Sequence, residues 1–344
     1  MITPIRARCI AVLALAVTLV FSGRPAAVQR QEEKPPIRIG LIGLDTSHAP
    51  AFTQLLNDTA RADHIPGARV VAAFKGGSPD VEASANRVDK FTAELRDTWK
   101  IELVDSIEAL VKRVDAVMLL SVDGRVHLAQ AKPVLAARRP LFIDKPLAAS
   151  VRDAVEIARL ARESKTPVFS SSSLRFNDEV QAIKRDPRVQ QITGAIAWGP
   201  GTLEPHHPDL FWYGIHATEI LYTFMGQGCE RVTRTFASSG DVVTCQWRDG
   251  RTGIVRTIRE GAAPYGQVVF GSKGVLSTMP PDPSAAKRSS YFGLVSAVIE
   301  FFRTGISPVP IEETVEIMAF MEAADVSKSR NGAPVPISEV LPSR

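Results

Sequence analysis

The stretch from Leu203 to Glu219, LEPHHPDLFWYGIHATE, holds the densest group of side chains that could do chemistry. It contains half of the chain's six histidines, together with acidic and aromatic residues. The candidate ligand-binding residues within it are His206, His207, Asp209, Trp212, Tyr213, His216 and Glu219. In a substrate pocket, the aromatic rings would stack on a sugar ring while the histidine and aspartate side chains bind its hydroxyl groups.

Two other interpretations of this stretch remain open. Histidine, aspartate and glutamate are ligands that suit zinc and similar divalent ions, which would predict a metal site. Adjacent histidines such as His206 and His207 rarely point the same way, however, and no HExxH spacing is present. The third interpretation is a loop that only packs two domains together. We therefore favour the substrate pocket.

The stretch IRIGLIGLDTSHAPAFTQLLND, residues 37–58, is typical of the start of a nucleotide-binding domain. An apolar run ends at Gly43 and a helical pattern follows at once, which is where such domains place a glycine-rich phosphate loop. The second and third glycines of that loop are missing, and Asp45 and His48 stand in their place. Asp45 would bring a negative charge towards two phosphates unless its side chain turns inward to cap the helix.

The same loop keeps features that favour anion binding. Thr46 and Ser47 can cap the helix, whose free N–H groups attract anions whatever the side chains are. Asp45, Thr46 and Ser47 could equally be nothing more than a helix N-cap, and His48 could be a packing residue. The sequence therefore predicts a nucleotide site that departs from the standard form.

The elements that must position these residues alternate through the first half of the chain. The candidate strands are Ile37–Ile42, Val70–Phe74, Ile101–Val104, Ala116–Leu120, Leu141–Ile143 and Pro167–Ser170. The helical patterns between them are Ala49–Ala60, Val81–Arg96, Ser106–Lys112, Val126–Ala137 and Ser150–Lys165. Continuous apolar strands that alternate with amphipathic helices predict a parallel sheet covered on both faces.

Ligands of such sheets bind beyond the carboxyl ends of the strands. Four polar segments follow strands there and should line one crevice: Asp45–His48, Ser121–His127, Asp144–Pro146 and Ser170–Arg175. Arg125 and Arg175 could neutralise a carboxylate or phosphate of a ligand, or could be structural ion-pair partners.

The pattern changes after about Phe176, where successive strands are joined by Gly- and Asp-containing turns. One helix is expected near His216–Met225, and Tyr291–Arg303 and Ile311–Lys328 follow with apolar faces typical of core packing or a subunit interface. We predict an α/β protein: a Rossmann-type, doubly wound parallel sheet at 36–175, then an α+β substrate or oligomerisation domain with an open, mostly antiparallel sheet at 176–340. We expect a homo-oligomer.

Residues 1–30 read as an export signal and the start of a linker. A positive start precedes the thirteen-residue apolar run Cys9–Phe21, which is short of the roughly 20 residues that a membrane span needs. We therefore expect a periplasmic or extracellular protein without a stable membrane span, the alternative being an uncleaved N-terminal anchor. Cys229 and Cys245 could then form a disulfide.

The charge of the chain excludes one class of partner. The net charge of +4 comes from the first thirty residues, which carry no acid and four arginines: Arg6, Arg8, Arg24 and Arg30. A chain that starts near Glu32 would be close to neutral, so no clustered basic face for nucleic acid is expected.

Four segments resemble the Gfo/Idh/MocA oxidoreductases over essentially the whole chain after the signal. LFIDKPLAAS looks like that family's Glu-Lys-Pro signature with Asp144 in place of Glu, and SVDGRVHLAQAKPVLAARRP keeps a histidine, His127, seventeen residues earlier. SSSSLRF matches the sixth strand with its Arg-aromatic pair. DLFWYGIHATEILYTFMG is similar to the helix that carries the family's catalytic histidine, which falls on His216.

The resemblance implies oxidoreductase chemistry with NAD or NADP on a sugar, a polyol or a related small molecule. Lys145 would hydrogen-bond the reacting hydroxyl and stabilise an alkoxide, His216 would be the general base, and Asp144 and Glu219 would orient them. The implied cofactor-binding residues are Gly40, Gly43, Asp45, Thr46, Ser47, His48, Lys75, Ser121 and His127. The implied substrate-binding residues are Arg175, His206, His207, Asp209, Trp212 and Tyr213.

The sequence also departs from that family. Phe74 replaces the acidic residue expected at the end of the second strand, and Lys75 with Ser78 would suit a 2′-phosphate better than a bare ribose. Trp212 stands where the family has an aspartate. The main alternative is therefore a non-redox carbohydrate-binding protein on the same fold, and a metal-dependent hydrolase or lyase is a lesser one.

Overall fold

Six parallel strands form the first sheet, in the order β3-β2-β1-β4-β5-β6. They are β1 (Ile37–Ile42), β2 (Ala68–Phe74), β3 (Glu102–Val104), β4 (Ala116–Leu119), β5 (Leu141–Asp144) and β6 (Val168–Ser171). The computed structural model describes residues 35–278 and 288–341. The strand order reverses between β1 and β4, so a ligand crevice is expected beyond their carboxyl ends. The predicted Rossmann-type sheet is confirmed.

Helices cover both faces of this sheet, which explains why its strands are apolar throughout. They are α1 (His48–Asn57), α2 (Glu82–Ala85), α3 (Val88–Asp97), α4 (Ile107–Leu110), α5 (His127–Ala136) and α6 (Val151–Ser164). The single helix predicted at Val81–Arg96 is wrong, because the chain forms the short α2 and then a separate α3 after Arg87. The Ser84 side chain of α2 is tied to Asp45, which holds this turn against the first loop.

The second sheet has seven strands in the order β12-β11-β7-β10-β9-β8-β13. They are β7 (Ile192–Pro200), β8 (Cys229–Ala237), β9 (Gly240–Trp247), β10 (Thr252–Ile258), β11 (Gly266–Gly271), β12 (Gly274–Ser277) and β13 (Val335–Pro336). All neighbouring pairs are antiparallel except β7 and β10, which confirms the mostly antiparallel sheet. Cys229 and Cys245 form a disulfide between β8 and β9.

The remaining helices connect the two sheets. They are α7 (Asp178–Arg185), α8 (Asp209–Trp212), α9 (Gly214–Met225), α10 (Phe292–Thr304), α11 (Ile311–Ser329) and α12 (Ile337–Val340). Helix α10 buries Leu294, Val298 and Phe301 in the same cluster as Ile39 and Phe52, so the second half of the chain supplies a helix to the first sheet.

The predicted export signal lies outside the described residues. In the ranges that the structure describes, no helix is both long enough and apolar enough to cross a membrane.

Candidate functional site

The loop after β1 passes very close to the end of β4. Gly43 has a φ of +84°, and a Cβ atom there would lie 2.4 Å from the backbone nitrogen of Ser121. Only glycine tolerates both this backbone conformation and this contact. The Leu44 N–H donates to the Lys75 carbonyl at 2.8 Å, which fixes the loop against the segment after β2.

Asp45 turns inward, as a phosphate site requires, but it does not cap α1. Its carboxylate is fully buried and accepts hydrogen bonds from the Val122 N–H at 3.1 Å and the Ser84 hydroxyl at 2.7 Å. Ser47 is the N-cap residue of α1, and its side chain makes no capping hydrogen bond. Asp45 therefore braces the loop and directs its charge away from the crevice.

The fit of this loop to a pyrophosphate can be tested on its backbone. Among the described residues, the N–H groups of Asp45, Thr46 and Ser47 have no hydrogen-bond partner. Three N–H groups just before α1 are thus free to donate to an anion, and the helix dipole would add to the attraction. The loop fits a dinucleotide phosphate without the standard glycines.

His48 reaches from the first turn of α1 into the centre of the crevice. Its Nδ1 lies 2.5 Å from Asp144 Oδ2, and both side chains are buried. The other oxygen of Asp144 accepts the Lys145 N–H at 2.8 Å. Burial would raise the pKa of Asp144, but His48 and Lys145 hold it below its ordinary value. This pair links the predicted cofactor loop to the predicted catalytic residues.

Lys145 lies between the two sheets, next to Tyr213. Its Nζ is 5.8 Å from the centre of the Tyr213 ring. Burial lowers the pKa of Lys145, although Asp144 works in the opposite direction. The Lys145–Pro146 peptide bond is cis. The amine is therefore held in a partly buried position at the end of β5.

His216 faces Lys145 from α9. Its Nδ1 hydrogen-bonds the Ser172 hydroxyl at 2.7 Å, which fixes the imidazole ring. Burial, together with the charges of Lys145 and His48, places the pKa of His216 well below its ordinary value. At neutral pH the ring is neutral and suited to hydrogen bonding a substrate hydroxyl.

Three of the chain's four tyrosines line this site, near Lys145, His216 or His48. The His216 ring lies 5.9 Å from the Tyr213 ring and 5.6 Å from the Tyr265 ring, and Tyr291 packs 4.7 Å from His48. Burial raises the pKa of both Tyr265 and Tyr291. The result is a cup of aromatic rings around an amine and an imidazole.

Sequence reasoning missed Tyr265 and Tyr291, and it included Ser172 only within the strand-end segment Ser170–Arg175. The one signal for Tyr265 is Gly199, where a Cβ atom would lie 2.3 Å from the Tyr265 ring. That signal appears only once β7 and the segment before β11 are known to be adjacent.

Glu219 pairs with Arg175 and not with His216. Arg175 Nε lies 2.6 Å from Glu219 Oε2, and Arg175 Nη1 lies 2.8 Å from Glu313 Oε1. All three side chains are nearly or fully buried. Burial raises the pKa of Glu219 in spite of the guanidinium. Arg175 is therefore occupied by a structural ion pair that holds α9 and α11 to the end of β6.

His207 anchors the 203–219 stretch to the first sheet. Its Nε2 lies 3.0 Å from Asp123 Oδ1, and its ring packs 4.9 Å from Trp212. Burial would raise the pKa of Asp123, but His207, Arg125 and the hydroxyl group of Ser78 hold it strongly lowered. This contact holds the stretch across the crevice from β4.

Other predicted site residues lie outside the centre. Asp209 accepts hydrogen bonds from Arg234 at 2.8 Å and Lys328 at 2.6 Å, and His206 is exposed beside Glu204. Gly40 packs against Leu110. The structure thus brings the 203–219 residues to several different places.

The remaining predicted cofactor residues make internal contacts. Ser121 donates to Gln130 at 2.7 Å, and fully buried His127 lies 2.7 Å from the Ser121 carbonyl. Lys75 pairs with exposed Asp89 at 2.6 Å. The Ser78 hydroxyl donates to Asp123, so it is not free for a 2′-phosphate. Within residues 35–278 and 288–341, no group of three or more His, Cys, Asp or Glu is placed to hold a metal ion.

Comparisons with known proteins concern the family and the fold of this chain. Residues 37–172 match the model of an oxidoreductase family with an NAD-binding Rossmann fold. The inositol 2-dehydrogenase 2 of Mycolicibacterium vanbaalenii is 29% identical over 150 residues, which span 43% of this chain and 39% of that relative. The matched part thus covers about two fifths of the relative's length.

Solved structures resemble almost the whole described chain. The scyllo-inositol dehydrogenase of Lactobacillus casei, with bound NAD(H) and scyllo-inositol, superposes with a TM-score of 0.70 at 15% identity, covering 88% of this chain and 99% of that one. The myo-inositol 2-dehydrogenase of Lactobacillus plantarum gives a TM-score of 0.70 at 16% identity with the same coverage. At this identity the likeness confirms the fold.

Proposed function

We propose that this protein is an NAD-dependent dehydrogenase, because residues 37–172 match the model of an oxidoreductase family with an NAD-binding Rossmann fold. Its substrate would be a secondary alcohol on a neutral sugar, a cyclic polyol or a related small molecule. The observation that carries the proposal is one continuous site. The free N–H groups of Asp45–Ser47 directly precede His48, and His48 bonds Asp144. Asp144 in turn holds the backbone of Lys145, which faces His216.

The roles of the residues follow from their surroundings. A bound dinucleotide would supply the hydride acceptor for the carbon that bears the hydroxyl. Lys145, whose pKa is lowered by burial, would take the hydroxyl proton as the carbonyl forms. His216, held by Ser172, would hydrogen-bond the same oxygen and orient it. We assign proton transfer to Lys145 and hydrogen bonding to His216, because burial places the pKa of His216 well below its ordinary value.

The cup of tyrosines supports a neutral ring as the substrate. Tyr213, Tyr265 and Tyr291 offer ring faces for stacking and hydroxyl groups for hydrogen bonding. Arg125 and Arg175, which could otherwise bind an anionic group, are already paired with carboxylates. The relatives named above act on inositols, which are cyclic polyols.

Two further parts of the proposal concern context. We propose export, on the N-terminal pattern of residues 1–30, and the Cys229–Cys245 disulfide fits an oxidising compartment. We propose NAD over NADP because Lys75 and Ser78 are engaged elsewhere. A homo-oligomer remains a prediction.

A turnover assay tests the proposal. The purified protein is incubated with NAD⁺ and a panel of inositols and neutral sugars, and the absorbance of the reduced nicotinamide is followed. Lys145→Met should lower kcat by about 10²-fold or more and leave NAD binding unchanged, because general-base catalysis contributes that much. Replacement of exposed Lys132 by Met is the matched control. If no panel member is oxidised and NAD does not bind at millimolar concentration, the non-redox carbohydrate-binding alternative takes its place.

A further inference from the structure

The Lys145 amine lacks the partner that its sequence neighbour would normally supply. Asp144 precedes it directly, and adjacent Arg and Asp side chains do pair at Arg96–Asp97 and Arg152–Asp153. Yet among the described residues Lys145 Nζ has no hydrogen bond and no ion pair within 4.0 Å, and the centre of the Tyr213 ring lies 5.8 Å away. Both Asp144 oxygens point elsewhere.

The reason is His48. Asp144 Oδ2 is bonded to His48 Nδ1 at 2.5 Å, and Oδ1 accepts the Lys145 backbone N–H at 2.8 Å. His48 is itself fixed: its ring stacks on Phe52 at 5.2 Å and meets the edge of Tyr291 at 4.7 Å. The carboxylate cannot turn towards the amine without giving up a buried hydrogen bond, which leaves a buried polar group unsatisfied.

We propose that His48 is a positioning residue which, by holding Asp144 through this buried hydrogen bond, keeps the carboxylate away from the Lys145 amine and leaves that amine free to accept a proton from the substrate. The inference rests on the proposed function, in which Lys145 acts on the substrate hydroxyl. It assigns to the cofactor loop a second task, since α1 both offers N–H groups to phosphate and restrains the carboxylate beside the reacting centre.

The charged and titratable groups around Lys145 set the direction of the effect. The positive charge of Arg87, at the start of α3, lowers the pKa of Lys145. His216 on α9 is neutral at neutral pH, and Tyr213 presents its ring to the amine. Asp144 is the one of these groups whose approach would favour the ammonium form. Freeing Asp144 must therefore raise the pKa of Lys145, and a smaller fraction of its side chain is then free amine at neutral pH.

Competitive labelling tests this without substrate or cofactor. The intact protein is treated with a trace of acetic anhydride over a range of pH, and acetylation of Lys145 is measured by mass spectrometry against exposed Lys132. His48→Ala should slow the labelling of Lys145 by about tenfold near neutral pH, because the free amine fraction falls tenfold for each pH unit added to its pKa.

Two further variants decide the cause. His48→Asn keeps an N–H donor near the position of Nδ1, so its labelling should stay within about twofold of the original protein. Asp144→Asn removes the carboxylate and should label faster than the original protein, which keeps the test valid if His48→Ala fails to fold. Equal slowing in His48→Ala and His48→Asn, or unchanged labelling in His48→Ala, would overturn the proposal.

The outcome is separable from that of the proposed function. In His48→Ala, the acidic limb of the kcat/KM profile should move to higher pH, by about one pH unit for each tenfold slowing of the labelling. The KM for NAD should change little. The expected labelling pattern without turnover would refute the dehydrogenase and leave the role of His48 intact. Turnover with unaffected labelling would refute the role of His48 alone.

Discussion

Replacement of Arg175 by Met should destabilise the whole chain. The guanidinium lies between Glu219 and Glu313, with contacts of 2.6 and 2.8 Å, and only about 7% of its side chain is exposed. Removing one partner of a buried ion pair typically costs about 3–5 kcal/mol, because a charge stays buried without compensation. Two carboxylates are left here, so we expect the free energy of unfolding to fall by at least about 3 kcal/mol.

Urea denaturation followed by tryptophan fluorescence measures this loss. The double variant Arg175→Met/Glu219→Gln should recover part of it, because the second change removes one of the two stranded charges. Arg159 is the matched control, since it also contacts two carboxylates, Glu156 and Glu163, but on the exposed face of α6. Arg159→Met should change the stability little, because solvent screens exposed pairs.

The result that would refute the reasoning is a loss in Arg175→Met no larger than that in Arg159→Met. A double variant that is less stable than Arg175→Met alone would also contradict it, since the destabilisation would then come from lost packing and not from unpaired charge. The expected result supports the view that Glu219 holds α9, and with it His216, in place.

Two other predictions concern separate parts of the molecule. Burial raises the pKa of Asp325, beside Arg234, to about 7. Between about pH 4 and pH 7, this carboxyl therefore keeps its proton in the native chain and has lost it in the unfolded chain. Stability should therefore fall as pH rises from about 4 through about 7, by on the order of 4 kcal/mol for this group, and Asp325→Asn should lack that slope in urea titrations. Gly43→Ala should lower the free energy of unfolding by about 1–3 kcal/mol for the backbone strain, and by more because its Cβ would clash with the Ser121 backbone. It should also weaken NAD binding. Gly305→Ala, with a φ of +73° and open space around it, isolates the backbone strain as a control.

Much of the fold could be predicted from the sequence because buried parallel strands are apolar throughout. The six runs from Ile37 onward therefore identify one sheet, and the strand-end rule places Asp45–His48 and Asp144–Pro146 at one crevice. The prediction of a single helix over 81–96 failed because the backbone leaves helical geometry at Arg87 and α3 starts anew, a break that helical periodicity does not reveal.

The pairing of side chains within the site could not be predicted. His48 and Asp144 are 96 residues apart, and nothing local indicates that the loop histidine reaches the carboxylate. The family resemblance implied that Glu219 orients the catalytic pair, but the turn of α9 points it at Arg175. Tyr265 and Tyr291 come from segments outside the first sheet, so only tertiary packing brings Tyr265 to His216 and Tyr291 to His48.

The most direct test of the account is whether the loop at Gly43–His48 holds NAD. The purified chain should be titrated with NAD⁺ by calorimetry after any bound nucleotide has been released by mild denaturation, identified by mass spectrometry and removed. We expect one NAD per chain, either released or bound on titration, and much weaker binding in Gly43→Ala than in Gly305→Ala. No nucleotide released and no heat of binding would contradict the central claim that this altered loop still binds a dinucleotide phosphate.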